Sequence, residues 1–305
     1  MSGTLAVGFF DGVHLGHQAI LHGADEALTF SNHPLSVLAP ERAPRLIMTP
    51  ADRIEAIRAC GVEKVTVLDF TRELADVSPA DFAATYLLGR RIRCGANWRF
   101  GKGGAGDADF LRSLGYDVSV VPAVSVDAMS SSRQKIEISS TRIRAALEAG
   151  RVGEANAMLG RPFFVHGVPF KGKGKGRSLG YPTVNLRLQE LELDLPLGVY
   201  SVEIDGSWGI ANYGHAPTFG TKSWSEPVLE IHFTDALPSD VDSPQPKTVR
   251  FRQFIRPERK FASVDELKAQ IASDIQLGAC GEVYSTVGTS WDVAAVGWNL
   301  RRKVR

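Results

Sequence analysis

The chain has 305 residues, 44% of them hydrophobic and 23% charged, enough for two cores of ordinary size rather than one. Its formal net charge of +1 supplies no bulk field to draw nucleic acid or an anionic membrane, so neither is expected as a partner and any anion binding must be local. The three cysteines, Cys60, Cys94 and Cys280, never reach metal-ligand spacing, which argues against a zinc site and a disulfide framework and makes a reducing, cytoplasmic setting the expectation. No apolar run approaches the ~18 residues of a membrane span, and no basic segment precedes a signal-like core, so a soluble, unexported chain is expected.

Taken in chain order, the run from Leu5 to Phe10 reads as a short buried strand, and the Asp11-Gly12 that follows is a turn signal. A strand that passes through glycine into a helix start is where α/β folds hold phosphates, and His14 and His17 stand there as further donors. A helix is predicted from Pro50 with Gly61 at its stop, then a strand over "VEKVTVLDF", a helix capped by Ser78 with Pro79 in its first turn, and short strands over "RIRCG" and "GYDVSVVPAV". Strands separated by helices predict parallel pairing in a doubly wound α/β sheet. A helical stretch from Ser140 to Gly160 bridges the halves. Beyond it the runs "FFVHGVPF", "GVYSVEIDGSWGIANYG", "VLEIHFTD" and "KTVRFRQFIRP", broken by Gly, Pro and Asp, predict a small antiparallel barrel or sandwich. One late helix opens with Ser263 and Glu266 in a capping-box pattern.

In the first half, the frame from Gly8 through Asp11 to His14, Gly16 and His17 resembles the signature of the nucleotidyltransferase superfamily. The resemblance implies that the two histidines hold the triphosphate of ATP while its α-phosphate is attacked. Such chemistry needs in-line positioning and donors aimed at phosphate oxygens more than covalent participation. "ISSTRIR", residues 138–144, resembles the second signature of that superfamily: Ser139, Ser140 and Thr141 can cap a helix, and Arg142 and Arg144 can pair with phosphate. "TFSNHP" and "CGANWRFGKGGAGD" are similar to the segments that line the flavin and nucleotide sites of flavin-adenylating members, which implies contacts from Asn32, His33 and Asn97. Trp98 stands where those members carry phenylalanine, and Trp98 and Phe100 read equally well as plain core.

In the second half, "GVPFKGKGKGRSLGYPTVNL" lacks the Gly-Lys-Ser/Thr close of a P-loop. It resembles the riboflavin kinase signature, with Val184 in place of the usual alanine. The resemblance implies a loop of Gly172, Gly174, Lys175, Gly176 and Arg177 around polyphosphate. It also implies Thr183 and Asn185 as ligands of the Mg²⁺ that accompanies ATP, since neutral oxygens suit a hard cation. Glu230 matches the family's general base, which takes the proton of the ribityl 5′-hydroxyl. His166, His215 and His232 read as structural or surface residues.

Together the motifs resemble the bifunctional riboflavin kinase/FMN adenylyltransferase family, the prokaryotic type of FAD synthetase. The resemblance implies riboflavin, FMN, FAD and ATP as the molecules handled. It divides the chain into an adenylyltransferase domain (1–158), a kinase domain (159–285) and a tail (286–305), and assigns no oligomeric state. Only nine residues separate His17 from the strand "ALTF", where a parallel crossover takes a dozen or more. They predict a helix of one or two turns with a poorly anchored N-terminus, and hence slow adenylylation. A monofunctional riboflavin kinase with a degenerate front half, or a non-enzymatic flavin sensor, stays open at this point.

Overall fold

The computed structural model describes residues 3–127, 135–170, 183–215, 227–233 and 243–279. They fall into two compact units that divide between Ser140 and Thr141.

The first unit opens with β1 (Thr4–Val7), α1 (Leu15–Leu21), β2 (Glu26–Phe30), α2 (Pro34–Leu38), α3 (Pro50–Ala59) and β3 (Lys64–Leu68). It continues through α4 (Arg72–Ala75), α5 (Pro79–Phe82), β4 (Arg91–Gly95), α6 (Ala108–Ser113), β5 (Val118–Val121) and the small pair β6 (Ser125–Asp127) and β7 (Lys135–Glu137). The sheet runs β3-β2-β1-β4-β5, every pair parallel, as the alternation of strands and helices requires. The chain order reverses beside β1, so the carboxyl ends of β1, β2 and β4 frame a crevice at the switch point.

Local chemistry sets the ends of these elements. Thr49 and Ser78 cap α3 and α5 by accepting from the N–H groups of Asp52 and Asp81, and Gly61 ends the first of these turns at φ +91°. The strand expected from Leu5 to Phe10 stops at Val7, because Phe10 turns the chain into the left-handed region. The helix expected over residues 78–88 splits, its second half being a π-helical turn from Ala83 to Leu87. Phe82 and Leu87 are both buried in one cluster with Ile92, Cys94 and Leu111. Five residues apart on a regular α-helix they would point about 140° from each other, and the wider turn brings both to the core.

The second unit begins with α7 (Ser140–Glu148) at the divide and α8 (Val152–Leu159). It then runs through β8 (Phe163–Phe170), β9 (Thr183–Gln189), β10 (Gly198–Ile204), β11 (Ser207–Gly214), β12 (Val228–Phe233), β13 (Lys247–Pro257) and α9 (Val264–Ala279). The six strands close in the order β10-β11-β12-β9-β8-β13, antiparallel throughout, which removes every sheet edge. The sequence reading drew its line after residue 158. In the fold, α8 packs on β8 and β13, and the buried Asn156 amide donates to Phe251 O at 2.9 Å and accepts from Phe163 N at 2.7 Å.

One half of the capping box of α9 forms, Ser263 accepting from Glu266 N, while the Glu266 carboxylate accepts from Ala262 N, one residue before the cap. Its buried face carries Asp274, 1% exposed, which takes three N–H···O contacts of 2.7–3.1 Å from Arg256 of β13 and one of 2.8 Å from Gln270. Removing one partner of a buried pair strands the other charge, so Asp274→Ala should destabilise the barrel unit by about 3–5 kcal/mol. Denaturant unfolding of the full chain checks it. An unshifted transition would mean that α9 is held by its apolar contacts alone.

Candidate active sites

The first site is built on the turn between β1 and α1. Phe10 and Val13 lie at φ +60° and +39°, and Gly12 at φ +82°. Two non-glycine residues in this region cost of order 1–3 kcal/mol each and persist only when their surroundings hold them. Those surroundings are visible. Thr29 Oγ1 donates to Phe9 O at 2.9 Å, Ser140 Oγ donates to Asp11 O at 2.9 Å, and Ile47 N donates to the Asp11 carboxylate at 3.0 and 3.2 Å. Asp11 is therefore a buried brace of the turn. Gly8 fits because a Cβ there would stand 2.9 Å from the Phe10 ring.

From this turn the chain enters α1 through His14, whose Nδ1 accepts from His17 N at 3.2 Å and caps the helix. A neutral imidazole that accepts at Nδ1 carries its proton on Nε2, a donor directed away from the cap. The His14 and His17 rings stack with centroids 3.5 Å apart and planes within 17°. Burial pushes the His17 imidazole well below its ordinary value, and repulsion from the Arg53 charge, and from His14 when it too is protonated, pushes the same way. Its Nδ1 has no hydrogen-bond partner among the described residues.

The expectation of a poorly anchored α1 is corrected here. The helix is as short as foreseen, yet its start is fixed by the His14 cap and by Gln18 Nε2 donating to Val13 O at 3.0 Å. Leu15, Gln18, Ala19 and Leu21 are buried, and Arg93 of β4 donates to Ala19 O at 3.0 Å. A short crossover suffices because side chains, rather than further turns, tie its ends down.

Beside the turn lies a cavity of about 250 Å³ walled by Phe30, Phe70, Trp98 and Phe100, with Gly8 and Arg99 also on its lining. Trp98 and Phe100 stack at 4.6 Å, so these aromatics are both core and cavity wall. Of the residues singled out from sequence, Asn32 spends its amide on the Phe70 backbone, donating to Phe70 O at 3.0 Å and accepting from Phe70 N at 2.9 Å. His33 caps α2 through Nδ1 and meets the Phe9 ring edge-on at 4.8 Å. Asn97 is exposed and Gly16 stands against the His14 ring. Thr141 and Arg144 lie on α7 in the second unit, where the Arg144 guanidinium donates to Thr141 Oγ1 at 3.5 Å.

The second site is written in the barrel's register. Antiparallel pairing sets Asn185 of β9 opposite Glu230 of β12, and Thr183 opposite His232, while Glu230 also faces Asn212 of β11. Val184, Leu186, Leu229 and Ile231 are buried, so period-2 alternation puts Thr183, Asn185, Glu230 and Asn212 together on the opposite face, half-buried. Directly opposed side chains stand roughly 5 Å apart at Cβ. A hydroxyl, a carboxamide oxygen and a carboxylate in one patch are a donor set that fits Mg²⁺ with phosphate. Gly172, Gly174, Lys175, Gly176 and Arg177 lie outside the described residues.

Three further residues lie beside these sites. Asn212 donates to Glu258 Oε1 at 3.2 Å, and the alternation in "GIANYG" could have shown it sharing a face with its neighbours' polar residues. His232, 8% exposed, is held below its ordinary pKa by burial, against a smaller upward pull from Glu230. Nothing in the sequence distinguishes Arg53, which is buried on α3.

A switch-point crevice with stacked histidines and an aromatic cavity, joined to a closed six-stranded barrel bearing a Thr-Asn-Glu patch, defines a two-unit nucleotide-handling protein. Comparison with known families agrees: the FAD synthetase family matches residues 2–142, and the riboflavin kinase family matches residues 159–279. A bifunctional riboflavin kinase/FMN adenylyltransferase of Bacillus subtilis is 33% identical over 291 residues, covering 90% of each chain. That of Pseudomonas fluorescens is 35% identical over 290 residues, covering 88% of this chain and 89% of its own. A crystal structure from Streptococcus pneumoniae, described as a macrolide-efflux protein, superposes with a TM-score of 0.77 at 30% identity over 92% of this chain and 95% of its own. Among the described residues no helix is long and apolar enough to cross a membrane. The chain belongs to the bifunctional riboflavin kinase/FMN adenylyltransferase family, and both enzymatic domains are present.

His17 makes a pH-dependent contribution of known sign. The folded unit binds the His17 proton more weakly than the unfolded chain, so no penalty exists above the ordinary value of 6.5, and one accrues as pH falls below it. Melting temperatures of wild type and His17→Asn, taken from pH 7.5 to 5, should show wild type losing ground to the variant as pH falls. A constant difference would mean that His17 titrates normally.

Proposed function

We propose that the barrel unit phosphorylates riboflavin to FMN and that the α/β unit adenylylates FMN to FAD with a second ATP. The division of labour follows the divide between the units, with residues 3–140 carrying the second activity. The observation that carries this reading is the opposition of Glu230 and Asn185 across β12 and β9, which joins a base and a ligand oxygen in one patch.

In the kinase step Glu230 accepts the proton of the ribityl 5′-hydroxyl as its oxygen attacks the γ-phosphorus, and ADP leaves with the electron pair of the broken P–O bond. Thr183 and Asn185 would hold Mg²⁺, which when bound neutralises charge on the ATP phosphates. Asn212 lies opposite Glu230 on its other side, with its own amide nitrogen donating to Glu258.

In the adenylyl step an FMN phosphate oxygen attacks the α-phosphorus of ATP, a new P–O bond forms, and pyrophosphate departs. His14 and His17 donate to the triphosphate, with Ser140 as a further phosphate contact. The aromatic cavity takes the flat isoalloxazine ring, with the exposed Asn97, next in the chain to Trp98 of its wall, as a further contact, and His33 and Asn32 fix the adjoining loop. Gly8 lines the cavity and opens the histidine turn, so one segment positions both substrates. A cytoplasmic setting fits ATP and flavins as substrates.

The discriminating variant is Glu230→Gln in the full chain. It should lower riboflavin phosphorylation by about 10²–10⁴-fold while flavin binding and FMN-to-FAD conversion persist. Unchanged FMN formation would remove Glu230 from the chemistry.

A further inference from the structure

Arg53 is the largest fully buried side chain in the described structure, 1% exposed, and it lies outside every motif that the two activities account for. Burying a guanidinium costs several kcal/mol unless its partners compensate, and an apolar side chain of similar length would fill the space without that cost. Its partners are specific. One terminal nitrogen donates to Phe30 O at 2.5 Å, the last carbonyl of β2, and to Ser31 O at 3.1 Å just beyond it. The guanidinium carbon stands 4.2 Å from the centre of the Phe9 ring, and that ring also meets His33. Nε and the other terminal nitrogen have no partner among the described residues.

The same charge reaches the two ends of the histidine turn. Attraction from the Asp11 carboxylate opposes the loss of charge that burial favours in Arg53. The guanidinium in turn acts on His17, where it and His14 are the charged groups that bear on the ring. One side chain thus connects α3, the end of β2 and the strained segment from Phe9 to Asp11, and only a planar, multi-donor cation can grip carbonyls and a ring at once.

We propose that Arg53 is a positioning residue for adenylyl transfer, a buried clamp that fixes the Phe9–Asp11 segment against the end of β2 and so sets where His14 and His17 meet the triphosphate. The clamp rests on the adenylylation reading given above. It acts through the histidines and touches no substrate. Because misplacing a phosphate-contacting group by about 1 Å can cost 10²-fold in rate, a loosened clamp appears in kcat rather than in folding.

The test uses the full chain as wild type, Arg53→Met and Arg53→Lys. Each is assayed for FMN-to-FAD conversion over a range of ATP and for riboflavin phosphorylation, and each is melted. Arg53→Met should lose roughly 10- to 100-fold in adenylylation kcat. Its kinase rate should stay at the wild-type value, and Arg53→Lys should recover part of the loss because it keeps the charge and one donor. If Arg53→Met melts lower but keeps wild-type kcat and KM for ATP below its transition, Arg53 is structural only and the proposal falls. If Arg53→Met fails to fold its first unit, Arg53→Lys decides: a folded variant with reduced kcat supports the clamp, and wild-type kcat overturns it. Wild type that makes no FAD overturns the adenylylation reading and the clamp with it, whereas FAD formation unchanged in both variants overturns the clamp alone.

Discussion

The adenylylation site depends on a turn that the chain would not adopt by itself. Phe10 and Val13 sit at positive φ within four residues, and this arrangement lasts only because Thr29, Ile47, Ser140 and Gln18 hold its carbonyls and the Asp11 carboxylate from four directions. These contacts come from β2, the segment before α3, the start of α7 and α1 itself. The turn therefore forms only when the unit is folded, which ties the geometry of His14 and His17 to the whole α/β core.

The barrel solves a similar problem by register alone. Closure of six antiparallel strands fixes every pairing, since slipping β9 by one residue against β12 would exchange Thr183 and Asn185 with the buried Val184 and Leu186. Apolar burial on one face thus enforces polar convergence on the other. The two units hold their chemistry by different means, one by braced strain and one by a ladder. α9, clamped through the Asp274–Arg256 pair, packs on β10, β11 and β13, of which β11 carries Asn212.

Much of this was legible before the fold was known, and the parts that were not have physical reasons. Elements with caps and stops in the sequence, such as α3 stopping just before Gly61 or α9 opening at Ser263, fall where expected. The helices α2, α4 and α6 span six residues or fewer, too short to show a period of 3.6. The π-helical turn answers to Phe82 and Leu87 meeting the core together, a tertiary demand on a sequence that reads as ordinary helix.

At the sites, residue types indicate a chemistry but do not reveal partners. Resemblance in "TFSNHP" implies a substrate contact from Asn32, and its amide is committed to the Phe70 backbone. The two histidines of the motif turn out to cap and stack on each other, a relation that spacing alone does not contain. Arg53 looks like any solvated helical charge in "PADRIEAIRACG", and only the packing of α3 reveals its burial. The most direct measurement of the central claim is a chromatographic time course of the purified chain with riboflavin, ATP and Mg²⁺. Two working sites predict that FMN rises first and then converts to FAD as pyrophosphate accumulates; FMN that persists with no FAD would contradict the assignment of adenylyl transfer to the braced histidine turn.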